Sequence, residues 1–207
     1  RLPTLYVVAT PIGNLSDMSP RAIETLRSVQ LIAAEDTRVT MKLLNAFDIS
    51  TPLTSCHEHN ERSKAVQIAE RMLAENIDVA VTTDAGTPCI SDPGSVLVRE
   101  ATERGIPAVA VSGPTAMASA LSVSGMDISE FTFYGFLPRQ KNELREKLTD
   151  MARHSKIAVV HESPHRVIEL LQQVQAVLPH TFVSASCDLT KKFEQTLRGP
   201  VEQVLRL

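Results

Sequence analysis

Along the first half of the chain, short apolar runs alternate with stretches whose apolar residues recur every three or four positions. The runs "LYVVA" at 5–9, "LIAAE" at 31–35, "DVAVT" at 78–82 and "PAVAV" at 107–111 read as buried strands. Ser19 and Pro20 open a helix that carries Ala22, Ile23 and Leu26 on one face. A second helix is expected near 38–47. A third spans 61–75, with Ala65, Ile68, Ala69, Met72 and Leu73 at helical spacing. A fourth follows "SDPG", with Asp92 expected as its N-cap, Pro93 at its first position and Gly105 closing it. Strands alternating with helices in this way predict a mostly parallel sheet covered by helices.

The second half has a different texture. "FTFYGF" (131–136) alternates aromatic with small or polar residues, and "KIAVVHE" (156–162), "TFVSASC" (181–187) and "KFEQTLRG" (192–199) add further strands. Helices are expected near 140–153 and 164–178. The latter takes Ser163 as N-cap and Pro164 as first residue, and has a stripe of Val167, Leu170, Leu171, Val174 and Leu178. The eight glycines all fall at expected turns or element ends. No internal repeat or low-complexity tract is present. The change of pattern divides the chain into an N-terminal α/β domain, 1–112, and a C-terminal one, 113–207.

Three turns share one design. "ATPIGNL" (9–15), "DAGTP" (84–88) and "SGPTA" (112–116) each follow a strand and set glycine near proline and threonine. None matches a phosphate-binding loop of the GxxxxGK[ST] or GxGxxG type, which argues against a nucleotide held by its phosphates. Rigid turns at the carboxyl ends of parallel strands are where open α/β sheets bind ligands. Together the three imply a cofactor held largely by backbone.

Composition narrows the class. With 207 residues, 43 % hydrophobic and 22 % charged, the chain reads as an ordinary soluble globular protein. No apolar run approaches the roughly 18 residues of a membrane span. The N-terminus enters a strand almost at once, so no signal peptide is expected. Cys56, Cys89 and Cys187 are scattered and lack metal-ligand spacing, which favours free thiols in a cytoplasmic setting. Net charge is −3, with no broad nucleic-acid-binding bias. Residues 139–156 are an exception: Arg139, Lys141, Arg145, Lys147, Arg153 and Lys156 outnumber Glu143, Glu146 and Asp150. That segment is either a solvated amphipathic helix or a phosphate-facing surface.

Polar residues gather just past several strands. "AAEDTR" brings Glu35, Asp36 and Arg38, where Asp36 or Thr37 could equally cap the following helix. "HEHNE" (57–61) lacks the HExxH spacing of a zinc site, and capping by Asn60 accounts for much of it, so no metal is expected. "HESPHR" supplies Glu162, His165 and Arg166, and "DLTKKFE" supplies Asp188, Thr190 and Lys191. Charged residues at several strand ends imply a polar cleft.

In order, "TPIGNL", "AAEDTR", "HEHNE", "TDAGTPCISDPG", "SGPTA", "ESPHR" and "LTKKFE" resemble the tetrapyrrole methylase superfamily, in a bacterial branch that acts on ribosomal RNA. The resemblance covers about 10–199, and "DAGTP…SDPG" is its most specific part. It implies two α/β domains with S-adenosylmethionine in the cleft between them, usually in a homodimer. It also implies 2′-O-methylation of a cytidine in small-subunit ribosomal RNA near the decoding centre. The superfamily's cofactor turns fall on Pro11 and Gly13, on Gly86, Thr87, Pro88 and Ile90, and on Thr115 and Ala116. Ala185 and the Gly199–Pro200 turn are further expected contacts.

Two departures stand out. Ser186, Cys187 and Asp188 replace the usual "ARE", and His161 stands where an aromatic is common. Members also continue past this chain's end with a further strand and a helical tail. For the chemistry, Asp36, Glu162 or Asp188 could take the hydroxyl proton, with Lys191, Arg166 and Arg38 positioning phosphate. Asp36, Glu162 and Lys191 are the leading catalytic candidates; Arg38, Arg139, Lys141, Arg145, His165 and Arg166 are the RNA-binding ones. Two alternatives remain at this stage: a same-fold enzyme acting on a tetrapyrrole precursor, and a non-catalytic ribosome-assembly module.

Overall fold

In the computed structural model, which describes residues 1–90 and 93–207, the apolar runs of the first half pair side by side. Strands β1 (Leu5–Val8), β2 (Leu31–Ala34), β3 (Leu53–Ser55), β4 (Val79–Thr82) and β5 (Ala108–Val111) form a parallel sheet in the order β3-β2-β4-β1-β5. Every residue of β2 and β4 is buried, as continuous apolar runs require when both faces are covered.

Alternation across the pleat sorts those side chains into two cores. Ile32, Val8, Ala80 and Val111 pack with Ala22 and Leu26 of α1 (Pro20–Ser28) and Leu44 of α2 (Thr37–Ala46). Leu31, Ala33, Leu5, Val79 and Val81 pack with Ala65, Ile68 and Met72 of α3 (Glu61–Glu75) and Leu97 and Ala101 of α4 (Ser95–Glu103). Fully enclosing residues such as Leu5, Ile32, Leu44 and Leu97 stabilises the fold by roughly 1.5–3 kcal/mol each. The strand β1 leads to α1 on one face, and its neighbour β4 leads to α4 on the other. Adjacent strands with connections on opposite faces leave a crevice beyond their carboxyl ends.

The chain divides into two units, Arg1–Thr115 and Ala116–Leu207. In the second, β6 (Thr132–Phe136) pairs in parallel with β7 (Ala158–His161), and β8 (Phe182–Cys187) pairs antiparallel with β9 (Gln195–Pro200). Its helices are α5 (Ala116–Ser122), α6 (Lys141–His154), α7 (Val167–Val177) and the short α8 (Val201–Val204). Leu144, Leu148 and Met151 of α6 meet Leu170 of α7 and Leu137, with Tyr134 and Val160 against them.

Several local expectations are corrected. The strand β3 was not anticipated; three half-buried residues carry too little periodicity to announce it. The strand β5 is an edge, with Ala108 and Ala110 exposed, because among the described residues β1 alone pairs with it. Gly135 lies inside β6, at φ +68°, where a bulge shifts the register against β7. Helix α4 begins at Ser95 with Gly94 as N-cap, so Pro93 precedes the helix; Asp92 lies outside the described residues. Helix α7 begins at Val167, because Ser163 to Arg166 close a turn of their own through Arg166 N–H to the Ser163 carbonyl. Asn60 occupies the N-cap position of α3 but turns its side chain backward, accepting from His57 N–H at 2.8 Å.

Candidate functional site

The three rigid turns meet at the carboxyl ends of β4, β1 and β5. Thr10 and Gly86 exchange backbone hydrogen bonds of 3.0 Å in both directions, tying the first turn to the second. The Thr87 hydroxyl donates to the Pro114 carbonyl at 3.0 Å, tying the second to the third. Gly86 is buried at φ +85°, a conformation that favours glycine, and a Cβ there would stand 3.2 Å from Ile12 Cγ2. Gly113 needs its bareness for another reason: an added Cβ would lie 2.9 Å from Ala9 Cβ. So Pro11, Gly13, Gly86, Thr87, Pro88 and Thr115 are brought together, Ile90 is half-exposed beyond the turn, and Ala116 opens α5.

An acidic rim borders the same strand ends. Glu35 Oε1 accepts from the Thr83 hydroxyl at 3.0 Å and from Asp84 N–H at 3.2 Å. Asp84 Oδ1 in turn accepts from Asp36 N–H at 3.1 Å. Burial, and then the neighbouring Glu35, push the Asp84 carboxyl above the usual carboxylate range. Asp36 is engaged elsewhere. Its Oδ1 caps α2 through Arg38 N–H at 2.9 Å, and its Oδ2 pairs with the Arg38 guanidinium at 3.0 Å. Those bonds hold Asp36 below its ordinary value.

The second unit carries a small cavity of about 50 Å³. Pro138, Arg139, Lys141 and Leu144 line one side; Glu162, Arg166, Glu169, Leu170 and Gln173 line the other. Four residues singled out in the sequence, Glu162, Arg139, Lys141 and Arg166, therefore share one pocket. Arg145 does not: its Nε donates to Gln173 Oε1 at 2.8 Å, and it borders a separate groove with Glu146, Thr149, Asp150 and Arg153. His165 is exposed in the turn before α7. Lys191 sits between β8 and β9, 3.8 Å from Asp188 Oδ1. Ala185 lies within β8 opposite Leu197, and Pro200 ends β9. Among the described residues, no group of three or more His, Cys, Asp or Glu is placed to hold a metal ion. Among the described residues no disulfide joins Cys56, Cys89 or Cys187, and burial raises the pKa of the Cys56 thiol to about 11.

Residues 4–205 match the family of tetrapyrrole (corrin/porphyrin) methylases. The chain belongs to this family. It is 47 % identical to a ribosomal RNA small subunit methyltransferase I of Pseudomonas aeruginosa, over 97 % of this chain and 71 % of that one. It is 44 % identical to the protein of that name from Halalkalibacterium halodurans, over 98 % of this chain and 70 % of the other. Among solved structures, diphthine synthase superposes with a TM-score of 0.73 at 12 % identity, covering 99 % of this chain and 84 % of its own. The methyltransferase CobJ gives 0.65 at 17 %, covering 97 % and 87 %. At such identities the two structures speak for the fold alone.

His161, where the resemblance implies an aromatic side chain, makes ring contacts of its own. It stands edge-on to Phe133 at 5.2 Å and to Phe136 at 5.8 Å, and burial lowers its pKa. Ser186 hydrogen-bonds Thr196 across the β8–β9 ladder at 3.0 Å, so its hydroxyl serves the hairpin. Three cavity and rim residues were missed in the sequence. Glu169 and Gln173 lie three and seven positions after Arg166, a helical spacing that could have found them. Asp84 stood in the most specific motif but was passed over beside its glycine and proline.

Proposed function

We propose that this chain transfers a methyl group from S-adenosylmethionine to the 2′-hydroxyl of a cytidine in small-subunit ribosomal RNA, near the decoding centre. The observation that carries the reading is the joining of three rigid turns at the β1–β4 crevice, in a chain 44–47 % identical to proteins named for that RNA. The turn cluster fits the donor. It offers backbone and a close approach at Gly86 in place of a phosphate-binding loop, and the Glu35–Asp84 rim suits a sulfonium cation. Pro11, Gly13, Gly86, Thr87, Pro88, Ile90, Thr115 and Ala116 would hold it, with Ala185 and Pro200 as further contacts. When bound, it would supply a methyl group activated by its bond to a sulfonium centre, with a neutral thioether as the leaving group.

The chain's own residues then have two tasks. A ribose hydroxyl is a poor nucleophile until its proton is drawn away, and it must be aligned with water excluded. Glu162 is the carboxylate we assign to the proton: one oxygen accepts Ser163 N–H at 2.8 Å, and the group shares its cavity with Arg139, Lys141 and Arg166. Asp36 is a weaker candidate, being committed to Arg38 and to the α2 cap. Lys191, Arg38, Arg145 and His165 provide outlying RNA contacts. The homodimer and the cytoplasmic setting expected from the sequence belong to the same reading.

The test is a transfer assay with labelled S-adenosylmethionine, run in parallel on small ribosomal subunits, naked RNA and tetrapyrrole precursors. Label should enter the RNA as an alkali-resistant 2′-O-methyl cytidine. Label in the tetrapyrrole, or in neither, would overturn the proposal.

A further inference from the structure

We infer that the cavity of the second unit is a pocket for a single phosphodiester of the RNA, an inference that rests on the RNA-methyltransferase reading above and sharpens it. Three cations converge there, Arg139, Lys141 and Arg166. Among the described residues, none of their side chains has a hydrogen bond or ion pair, although Glu162 and Glu169 border the same space. Nearby cations of α6 are differently occupied. Arg145 is tied to Gln173, and Lys147 lies 5.0 Å over the Tyr134 ring. Arg166 even keeps its Nε enclosed without an acceptor, an unfavourable state that a ligand oxygen can relieve once the side chain adjusts.

A second feature points the same way. Helix α7 starts at this cavity with Arg166 in the N-cap position, and no side chain caps it. The first N–H groups of a helix have no partner within it, and its N-terminus favours an anion. Charge and size then select the anion. Three cations against two carboxylates leave one positive charge to be balanced. A phosphodiester carries one negative charge, whereas a phosphate monoester carries about 1.5 to 2 near neutrality. A cavity of about 50 Å³ suits a phosphate-sized group better than a nucleobase. The 2′-hydroxyl of a nucleotide lies only a few bonds from its own 3′-phosphorus. A phosphodiester seated here therefore brings such a hydroxyl into the neighbourhood of Glu162.

One pocket and three separate contacts make different predictions for the salt dependence of RNA binding. Losing one phosphate contact lowers the slope of log K against log salt by about 0.7 for single-stranded RNA. The triple variant Arg139→Gln, Lys141→Gln, Arg166→Gln should lose about 0.7 and no more, since all three hold the same phosphate. Arg153→Gln, on the same helix but outside the cavity, should leave the slope unchanged. Calorimetry with S-adenosylmethionine should give wild-type affinity for both. If the triple variant does not fold, the exposed pair Arg139→Gln, Lys141→Gln carries the test with the same expected drop.

A drop of about 2 would mean three separate phosphates, and an unchanged slope would mean none; either overturns the pocket. Inorganic phosphate should weaken RNA binding only through ionic strength. Saturable competition would assign the cavity to free phosphate and also overturn the inference. Wild-type methyl transfer is measured on the same preparations. Transfer with an unchanged slope removes the pocket and leaves the RNA-methyltransferase reading standing. A wild type that neither binds nor methylates RNA removes both.

Discussion

Two glycines show how much a single atom decides. At Gly113 an added Cβ would meet Ala9 Cβ at 2.9 Å, so Gly113→Ala has to push the ends of β1 and β5 apart. Overpacking of that kind costs about 1–3 kcal/mol, which urea unfolding would register. Gly86→Val combines the strain of φ +85°, roughly 1–2 kcal/mol, with crowding against Ile12. The folded variant should bind S-adenosylmethionine more weakly by calorimetry, and unchanged affinity would remove this turn from the donor site. The need at Gly86 was legible, because glycine beside proline at a strand end announces a special turn. The need at Gly113 was not, because its cause is the side chain of a residue on a different strand. Asp84 yields a pH test. Its carboxyl is raised, so its favourable contribution is fully present below the ordinary carboxylate range and is lost as pH rises through the raised value. Asp84→Asn should therefore raise the urea midpoint near neutrality and leave it little changed in acid. Asp36 has the opposite sign: Arg38 lowers it, so its stabilisation holds above the carboxylate range and fades as pH falls. A midpoint for Asp84→Asn that falls near neutrality would show that a charged acceptor for the Asp36 N–H outweighs both the burial of Asp84 and the repulsion from Glu35.

Elements were legible where one helix or strand carries its own signal, and illegible where a neighbour supplies it. Ser19 accepts from Ala22 N–H at 3.0 Å with Pro20 as first helical residue, all within five positions of sequence. The stripe Ala65, Ile68, Ala69 and Met72 is buried as its spacing requires. The start of α4 is another matter. Its N-terminal donors are satisfied from α3, where Glu61 Oε1 accepts from Gly94 N–H at 2.8 Å and from Val96 N–H at 3.4 Å. A cap lent by a residue on another helix leaves no local trace, which is why the proline and aspartate before α4 invited the wrong boundary. The lent cap also couples the two helices, which already pack through Ala69, Met72, Leu97 and Ala101. Glu61→Ala should cost about 1–2 kcal/mol in urea unfolding, and Glu61→Gln, which keeps an acceptor, visibly less. Equal losses would mean that the carboxylate's charge, and not the hydrogen bond, is what α4 requires. At α7 the same principle runs in reverse. Ser163 and Pro164 looked like a cap and first residue but close an independent turn, and the helix that follows is left uncapped beside three cations.

For the molecule as a whole, the acidic and basic features divide between the two units. The first unit gathers Glu35, Asp36 and Asp84 around its turns, and the second gathers Arg139, Lys141 and Arg166 around Glu162. An acidic rim attracts a cationic donor, and a basic pocket attracts an RNA backbone, so a net charge of −3 is compatible with both tasks. The same division decides between the carboxylates proposed for the hydroxyl proton. A general base works best when its pKa lies near the operating pH. Asp36 is displaced the wrong way, held low by Arg38, and its two oxygens are already committed. Glu162 keeps an oxygen outside its bond to Ser163 and faces the cations that would hold the substrate. Glu162→Gln should therefore slow single-turnover methylation by about 10²–10⁴-fold, a barrier increase of roughly 3–5 kcal/mol, with donor affinity intact. Asp36→Asn keeps a good helix cap, and its rate should stay within a few-fold of wild type while the Arg38 pairing is lost. Rates that move the other way, with Asp36→Asn the slower, would shift the proton acceptor to the first unit. Wild-type rates for both would leave Asp188 as the carboxylate to test. Its bond to the Lys191 ammonium, at 3.8 Å, is loose enough to yield to substrate.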